Sequence, residues 1–184
     1  MIRGARVALR PVEERDYPQI HRWQNDPEVW WWMDHEEPFS LADVAESERR
    51  ARDEGHPYII EVDGRPIGRI GLDGVRRRDR ICRLSVFIGE RGDWGQGLGT
   101  DAIDALLAHA FDRLDLHQVE VCSLAPNERA IGAFRHCGFT EEARLADRSW
   151  KDGRWVDHVV MTVTRERFVA ARTARDLGER PSTA

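Results

Sequence analysis

Trp94-Gly95-Gln96-Gly97-Leu98-Gly99-Thr100 lies between an apolar strand-like run over residues 81–88 and an amphipathic run over residues 101–113. The second run carries Ile103, Leu106, Leu107, Ala110 and Phe111 on one face, the mark of a helix packed on a core. A turn between a strand and a helix leaves backbone N–H groups unpaired at the positive end of the helix dipole. Glycine there lets the backbone approach a ligand closely, so the stretch reads as a phosphate cradle. Gly97-x-Gly99-x-x-Ala102 fits the looser dinucleotide-binding fingerprint. Against that reading, six residues separate the strand end from Gly95, and the motif lies past mid-chain after antiparallel hairpins. The next strand also ends in Cys122-Ser123 rather than in a ribose-binding acid. No Gly-Lys-Ser/Thr follows, which counts against a nucleotide-triphosphate loop. A glycine-rich turn that holds nothing is the remaining plain alternative.

N-terminal to the glycines, residues 6–10 alternate as a strand stopped by Pro11. Residues 13–25 carry Tyr17, Ile20 and Trp23 at helical spacing, and Asn25-Asp26-Pro27 closes that helix. Residues 30–39 form a loop or short helix rich in aromatic and acidic residues. Ser40, with Asp43 three residues on, predicts a capped helix to about Glu54. From His56 the period changes to two, and Asp63-Gly64 between apolar runs predicts a tight hairpin. C-terminal to the glycines follow a strand at residues 118–124, a short helix ending near Gly138, and a hairpin turning at residues 151–154. The expectation is one domain over residues 1–172 and a flexible tail over 173–184, where the sequence is polar and aperiodic.

With 184 residues, 41% hydrophobic and 33% charged, the chain has the composition of one globular domain. A net charge of −5 argues against a nucleic-acid partner and suits a cationic one. No run of apolar residues reaches membrane-spanning length and the N-terminus lacks a secretory core, so a cytoplasmic protein without membrane attachment is expected. Cys82, Cys122 and Cys137 are too dispersed for a disulfide framework or a paired-ligand zinc site. They read as small core residues, and no metal is expected.

The glycine stretch, followed by Asn127-Glu128-Arg129-Ala130-Ile131-Gly132-Ala133-Phe134-Arg135-His136-Cys137-Gly138-Phe139, resembles the paired signature of the GNAT N-acetyltransferase superfamily. The order of elements from Arg6 to Val163 agrees, so the resemblance covers nearly the whole chain. It implies an α/β (α+β) fold with a mixed, mostly antiparallel sheet of about seven strands flanked by helices. Acetyl-CoA, the donor substrate, would enter a V-shaped split between strands four and five. The resemblance implies that the amides of Gln96, Gly97, Leu98, Gly99 and Thr100, next to Trp94 and Gly95, hold the pyrophosphate. Val86, Phe87 and Ile88 would line the pantetheine arm with their backbone. Asn127 matches the asparagine beside the thioester, with Ala130 and Phe134 nearby. Two positions depart from the pattern: Trp94 stands where many members have Arg or Gln, and Phe134 where most have a tyrosine thought to protonate the leaving thiolate.

An alkyl ammonium, of pKa near 10, must lose a proton before it attacks a thioester. The carboxylates expected near the cleft are Glu61, Asp73, Asp79, Glu90 and Glu120, with Glu61, Asp79 and Glu120 the leading candidate bases. The backbone N–H of Ile88 is the candidate oxyanion donor. The acceptor wall is expected from Trp31, Trp32, Asp34 and Glu36, with Asp152 and Asp157 of the late hairpin. Rings beside carboxylates suit a polycation. Trp31-Trp32 and Pro57-Tyr58-Ile59-Ile60 are similar to aminoglycoside 6'-N-acetyltransferases, whereas Asp152 to His158 is closer to ribosomal-protein and polyamine acetyltransferases. The acceptor is therefore expected to be an aminoglycoside or related polyamine. Acetylation of protein N-termini and acyl-CoA binding without turnover are the alternatives, in a monomer or homodimer.

Overall fold

Hairpins build the sheet. In the computed structural model, which describes residues 1–33 and 37–178, β3 (His56–Val62) and β4 (Arg65–Arg76) are joined by Asp63-Gly64. Both turn residues have positive φ, 50° and 76°, which matches the right-handed twist of the strands they connect. The strands β1 (Ile2–Arg3) and β2 (Ala8–Pro11) precede this hairpin, and β5 (Ile81–Ile88) follows it. Later come β6 (Gln118–Leu124), β7 (Thr140–Lys151) and β8 (Arg154–Thr164). Their order across one sheet is β1-β2-β3-β4-β5-β6-β8-β7, and every pairing is antiparallel except β5 with β6. Eight strands stand where about seven are expected, because Ile2–Arg3 pairs with Ala8 and Leu9 as a short edge strand. The expected split between strands four and five thus falls between β5 and β6.

Helices cover both faces. One face packs on α1 (Tyr17–Gln24), the short α2 (Pro27–Trp30) and α3 (Leu41–Glu54), around Val12, Ile20, Trp23, Val44 and Ile59. The other carries α4 (Leu98–Asp112), α5 (Glu128–His136) and α6 (Arg165–Asp176) around a larger cluster that includes Ile60, Leu106, Phe111 and Val119. Ile59 and Ile60 fall in different clusters because adjacent strand residues point to opposite faces. The expected capping box forms: Ser40 Oγ accepts from Asp43 N and the Asp43 carboxylate accepts from Ser40 N. A buried ion pair, Arg69 Nε to Glu48 Oε1 at 2.6 Å, fastens α3 to β4.

Three differences from the sequence reading have physical causes. The first helix opens as a 3-10 turn at Glu14–Asp16, because Pro18 lies in the first turn of α1 and supplies no N–H. Helix α6 runs to Asp176, past the expected boundary at Arg172. Its apolar contribution is one residue, Phe168, stacked 5.6 Å from Phe111, and its last turn is held by Arg175, which binds Asp104 and the His136 carbonyl. Neither contact has a periodic trace in the sequence. Cys82 and Cys137 are core residues whose burial pushes their thiols up to about 12, but Cys122 is half-buried on a cleft wall. Among the described residues no helix is long and apolar enough to cross a membrane, and no cluster of His, Cys, Asp and Glu is placed to hold a metal ion.

Beneath β2, Arg10 makes a two-point contact with Asp16, Nη1 and Nη2 each at 2.7 Å, while its Nε donates to Glu61 at 2.7 Å. Burial opposes ionisation of Asp16, but the Arg10 guanidinium and the Glu13 N–H outweigh it and hold the carboxyl below its ordinary value. A lowered native pKa contributes stability above the unfolded-state value, near 4, and that stability is lost as pH falls through the native value. Asp16→Asn is expected to destabilise the fold at pH 7 by about 1–3 kcal/mol, the cost of an unsatisfied buried partner. The gap from the parent protein should narrow toward pH 3, as read by denaturant unfolding across pH.

Candidate active site

The parallel ladder between β5 and β6 has three rungs, Ile81 to Gln118, Cys82 to Val119 and Arg83 to Glu120. Beyond Arg83 the strands part. β4 keeps hold of β5 as far as Ile88, and β8 keeps hold of β6 as far as Leu124, so each wall of the gap stays rigid. The cleft encloses about 1270 Å³ and is lined by residues of both strands, of α4 and α5, and of the turn before α4.

The β5 wall offers main-chain groups. Gly89 N donates to Ile67 O at 2.8 Å, so by ladder alternation the N–H and C=O of Ile88 and Val86 point away from β4, into the gap. Trp94 Nε1 donates to the Ile88 carbonyl at 2.7 Å, which ties the glycine turn to the strand end. The face of the Trp94 ring carries the Arg129 guanidinium 4.0 Å from its centroid, and burial lowers the pKa of that arginine. Arginine keeps its charge across the ordinary pH range, so a cation sits on α5 beside the turn. Trp94 thus serves as a bracket, a role that its position alone did not disclose.

The turn itself is built for close approach. Gly95 and Gly97 have φ of 75° and 76°, and a Cβ on either would meet nothing within 4 Å, so the space before the turn is open. Gly97 caps α4 from the left-handed region, leaving the first N–H groups of a 15-residue helix directed outward. The N-terminal segment braces this end: the Asp101 carboxylate accepts from Ala5 N, Arg6 N and Val7 N, and Arg6 Nη1 donates to Gln96 O at 2.7 Å. A Cβ on Gly4 would lie 2.7 Å from the Asp101 carboxylate, so a larger residue there would displace that carboxylate. An anion with several oxygens fits this cradle of amides, with Arg6 and Arg129 at its rim.

Of the sequence-predicted residues, Val86, Phe87, Ile88, Trp94, Gly95, Gly97, Leu98, Gly99, Thr100, Asn127, Ala130 and Phe134 line the cleft together. Gln96 turns its side chain back to the Gly92 carbonyl and lies just behind the lining. The Asn127 oxygen caps α5 by accepting from Ala130 N at 3.2 Å. Phe134 is buried and packs 5.6 Å from Phe139.

The carboxylates divide. Glu120 lines the cleft, bonded by Arg83 Nη2 at 3.0 Å. Glu61 does not: its place in β3 turns it to Arg10, two strands from the gap. Asp79 is exposed in the β4–β5 turn beside Arg76, also outside the cleft, and Asp73 lies in β4 next to that end. Glu90 is taken up by Gln19, Arg22 and Trp23 Nε1. Of these five carboxylates only Glu120, itself paired with Arg83, stands on the cleft wall.

On the acceptor side Trp32 lines the cleft, while Trp31 meets it edge-on at 4.5 Å and donates from Nε1 to Asp152 at 2.6 Å. Asp157 points away, accepting from Asp147 N. Asp34 and Glu36 lie outside the described residues.

Comparison with known proteins agrees with this geometry. The acetyltransferase (GNAT) domain family matches residues 6–140. The chain belongs to the GNAT acetyltransferase family. As a GNAT member it is an N-acetyltransferase that takes its acetyl group from acetyl-CoA. It is 25% identical to spermidine N(1)-acetyltransferase of Escherichia coli strain K12 over 167 residues, 89% of each chain. Aminoglycoside N(6')-acetyltransferase type 1 of Klebsiella pneumoniae is 27% identical over 181 residues, covering 91% of this chain and 87% of that one. Among solved structures, spermidine N-acetyltransferase of Vibrio cholerae in complex with CoA and spermine superposes with a TM-score of 0.82. It is 22% identical over 90% of this chain and 99% of that one, and attests the GNAT fold.

Two substitutions probe the GNAT cleft. Gly97→Val forces a branched side chain into a left-handed conformation costing roughly 1–2 kcal/mol, so the Kd for CoA, measured calorimetrically, should rise about tenfold. Phe134→Tyr should leave kcat within about tenfold of the parent, since a thiolate of pKa about 8.5 departs without a strong acid. A much larger gain would mean that protonation of the leaving group limits turnover.

Proposed function

We infer that the chain acetylates a primary amine on a small polycation, an aminoglycoside or polyamine, with donor and acceptor entering the cleft from opposite faces of the sheet. The donor side is the α4–α5 face. There the amides of Gln96 to Thr100 would take the pyrophosphate and the β5 edge at Val86 would pair with the pantetheine arm. The Ile88 N–H would meet the oxygen of the thioester carbonyl as it gains charge. Asn127 keeps its amide N–H groups available beside that point.

The single observation that carries the small-acceptor reading is the closure of the opposite face. Trp31 Nε1 bonds Asp152 and Lys151 Nζ donates to the Met33 carbonyl at 2.7 Å, pinning the segment after α2 to the β7–β8 turn. That bridge sets Trp32 and Met33 on the acceptor side of the cleft together with Phe87, which supports a small acceptor held between them. Rings on the wall suit a cation, and the net charge of −5 favours its approach. The names of the spermidine and aminoglycoside acetyltransferases support the same acceptor class.

The test follows free thiol release from acetyl-CoA with spermidine, spermine, a kanamycin-like aminoglycoside and N-terminal peptides in parallel. Release with the polyamines or the aminoglycoside, at least tenfold above the peptides, is the expected result. Release with peptides alone would replace this reading with N-terminal acetylation. Tight CoA binding without release would leave an acyl-CoA-binding module.

A further inference from the structure

We propose that Cys122 and His158 form a proton relay on the acceptor side of the cleft and receive the proton lost by the attacking amine. The inference rests on acetyl transfer in this cleft and deepens the acceptor reading without depending on which amine is used. In the β5–β6 ladder Arg83 stands opposite Glu120, so Arg83, Ser85 and Phe87 share a face with Glu120 and Cys122. Phe87 packs edge-on against Trp23 of α1, which identifies this as the acceptor face. In the β6–β8 ladder Cys122 opposes Val160 and Leu124 opposes His158, which keeps His158 on the same face. Cys122 therefore lies just past the last rung, Arg83 to Glu120, at the point where the sheet opens.

The pair is connected. Cys122 Sγ is 3.4 Å from His158 Nδ1, and His158 Nε2 is 2.8 Å from Ser149 Oγ. His158 is 6% exposed yet lines the cleft with Cys122. With its proton on Nε2, His158 would donate to Ser149 Oγ and accept the Cys122 thiol proton at Nδ1. Imidazole is the side chain whose ordinary pKa lies nearest neutrality, the range suited to general-base work. Glu120, on the same wall, is already bonded by Arg83.

The step balances. The ammonium gives one proton to water on becoming nucleophilic. As its nitrogen bonds the thioester carbon, a second N–H proton passes to Cys122 Sγ while the thiol proton passes to His158 Nδ1, leaving a thiol and an imidazolium. The C–S bond then breaks, the sulfur leaves with its electron pair, and the imidazolium proton returns through Cys122 to that thiolate. The products are the amide and CoA thiol.

His158→Gln and Cys122→Ala should each lower kcat by about 10²-fold or more with KM for acetyl-CoA within twofold. Cys122→Ser, which keeps a hydroxyl in the relay, should recover part of the loss. The loss should shrink for a fluorinated acceptor of matching shape, because a weaker amine gives a more acidic N–H during attack. A purely structural role would reduce both acceptors alike. Iodoacetamide should alkylate Cys122 more slowly in His158→Gln than in the parent, a readout independent of any acceptor. CoA-induced thermal stabilisation verifies that each variant is folded. Unchanged kcat in both His158→Gln and Cys122→Ala, equal loss with both amines, or His158-independent alkylation would overturn the relay. Failure of every amine to release thiol from the parent, with alkylation still dependent on His158, would instead count against the acceptor reading.

Discussion

The cleft exists because one ladder stops early. Two parallel strands bonded along their whole length would close the sheet and pair off the main-chain groups that now face the gap. Here β5 and β6 share three rungs, and each then follows its other neighbour, β4 or β8. Those outer ladders keep unpaired strand edges from collapsing toward each other, since each edge is anchored on its far side. Main-chain N–H and C=O groups left without a partner are costly unless water or a ligand satisfies them, so the gap is already prepared for an extended amide-bearing arm.

The mouth of the gap is held by contacts from distant parts of the chain. Trp94 joins the glycine turn to the Ile88 carbonyl and supports Arg129 from α5, while Asp101 gathers three amides from the N-terminal segment to the first turn of α4. These bonds tie separate parts of the chain to one another and fix the shape of the cradle. The Glu48–Arg69 pair works similarly on the other face, where Arg69 Nη1 reaches Ser85 Oγ at 3.1 Å and sets the floor of the acceptor side.

Elements encoded by local chemistry were legible in the sequence. Asp63-Gly64 specifies its hairpin, Ser40 and Asp43 their cap, and the glycine turn with the Asn127 helix the fold and the cleft that both line. Features that depend on tertiary partners were not legible. The last turn of α6 rests on Arg175 reaching Asp104, 71 residues away, and polar residues at such a distance leave no period to read. Counting carboxylates fell short for the same reason at Glu61, which is spent on Arg10 of the neighbouring strand. His158 stood in plain view in the Trp155 to Thr162 run, but its pairing with Cys122 depends on the β6–β8 register.

Hydrogen–deuterium exchange of the parent protein with and without CoA tests the central claim most directly. The account predicts that CoA slows exchange at the amides of Val86 and Ile88 and at Gly97 to Thr100, with β3 and β7 unaffected. Unchanged exchange at Val86 and Ile88, or slowing confined to another surface, would contradict the idea that the parted strands receive the donor.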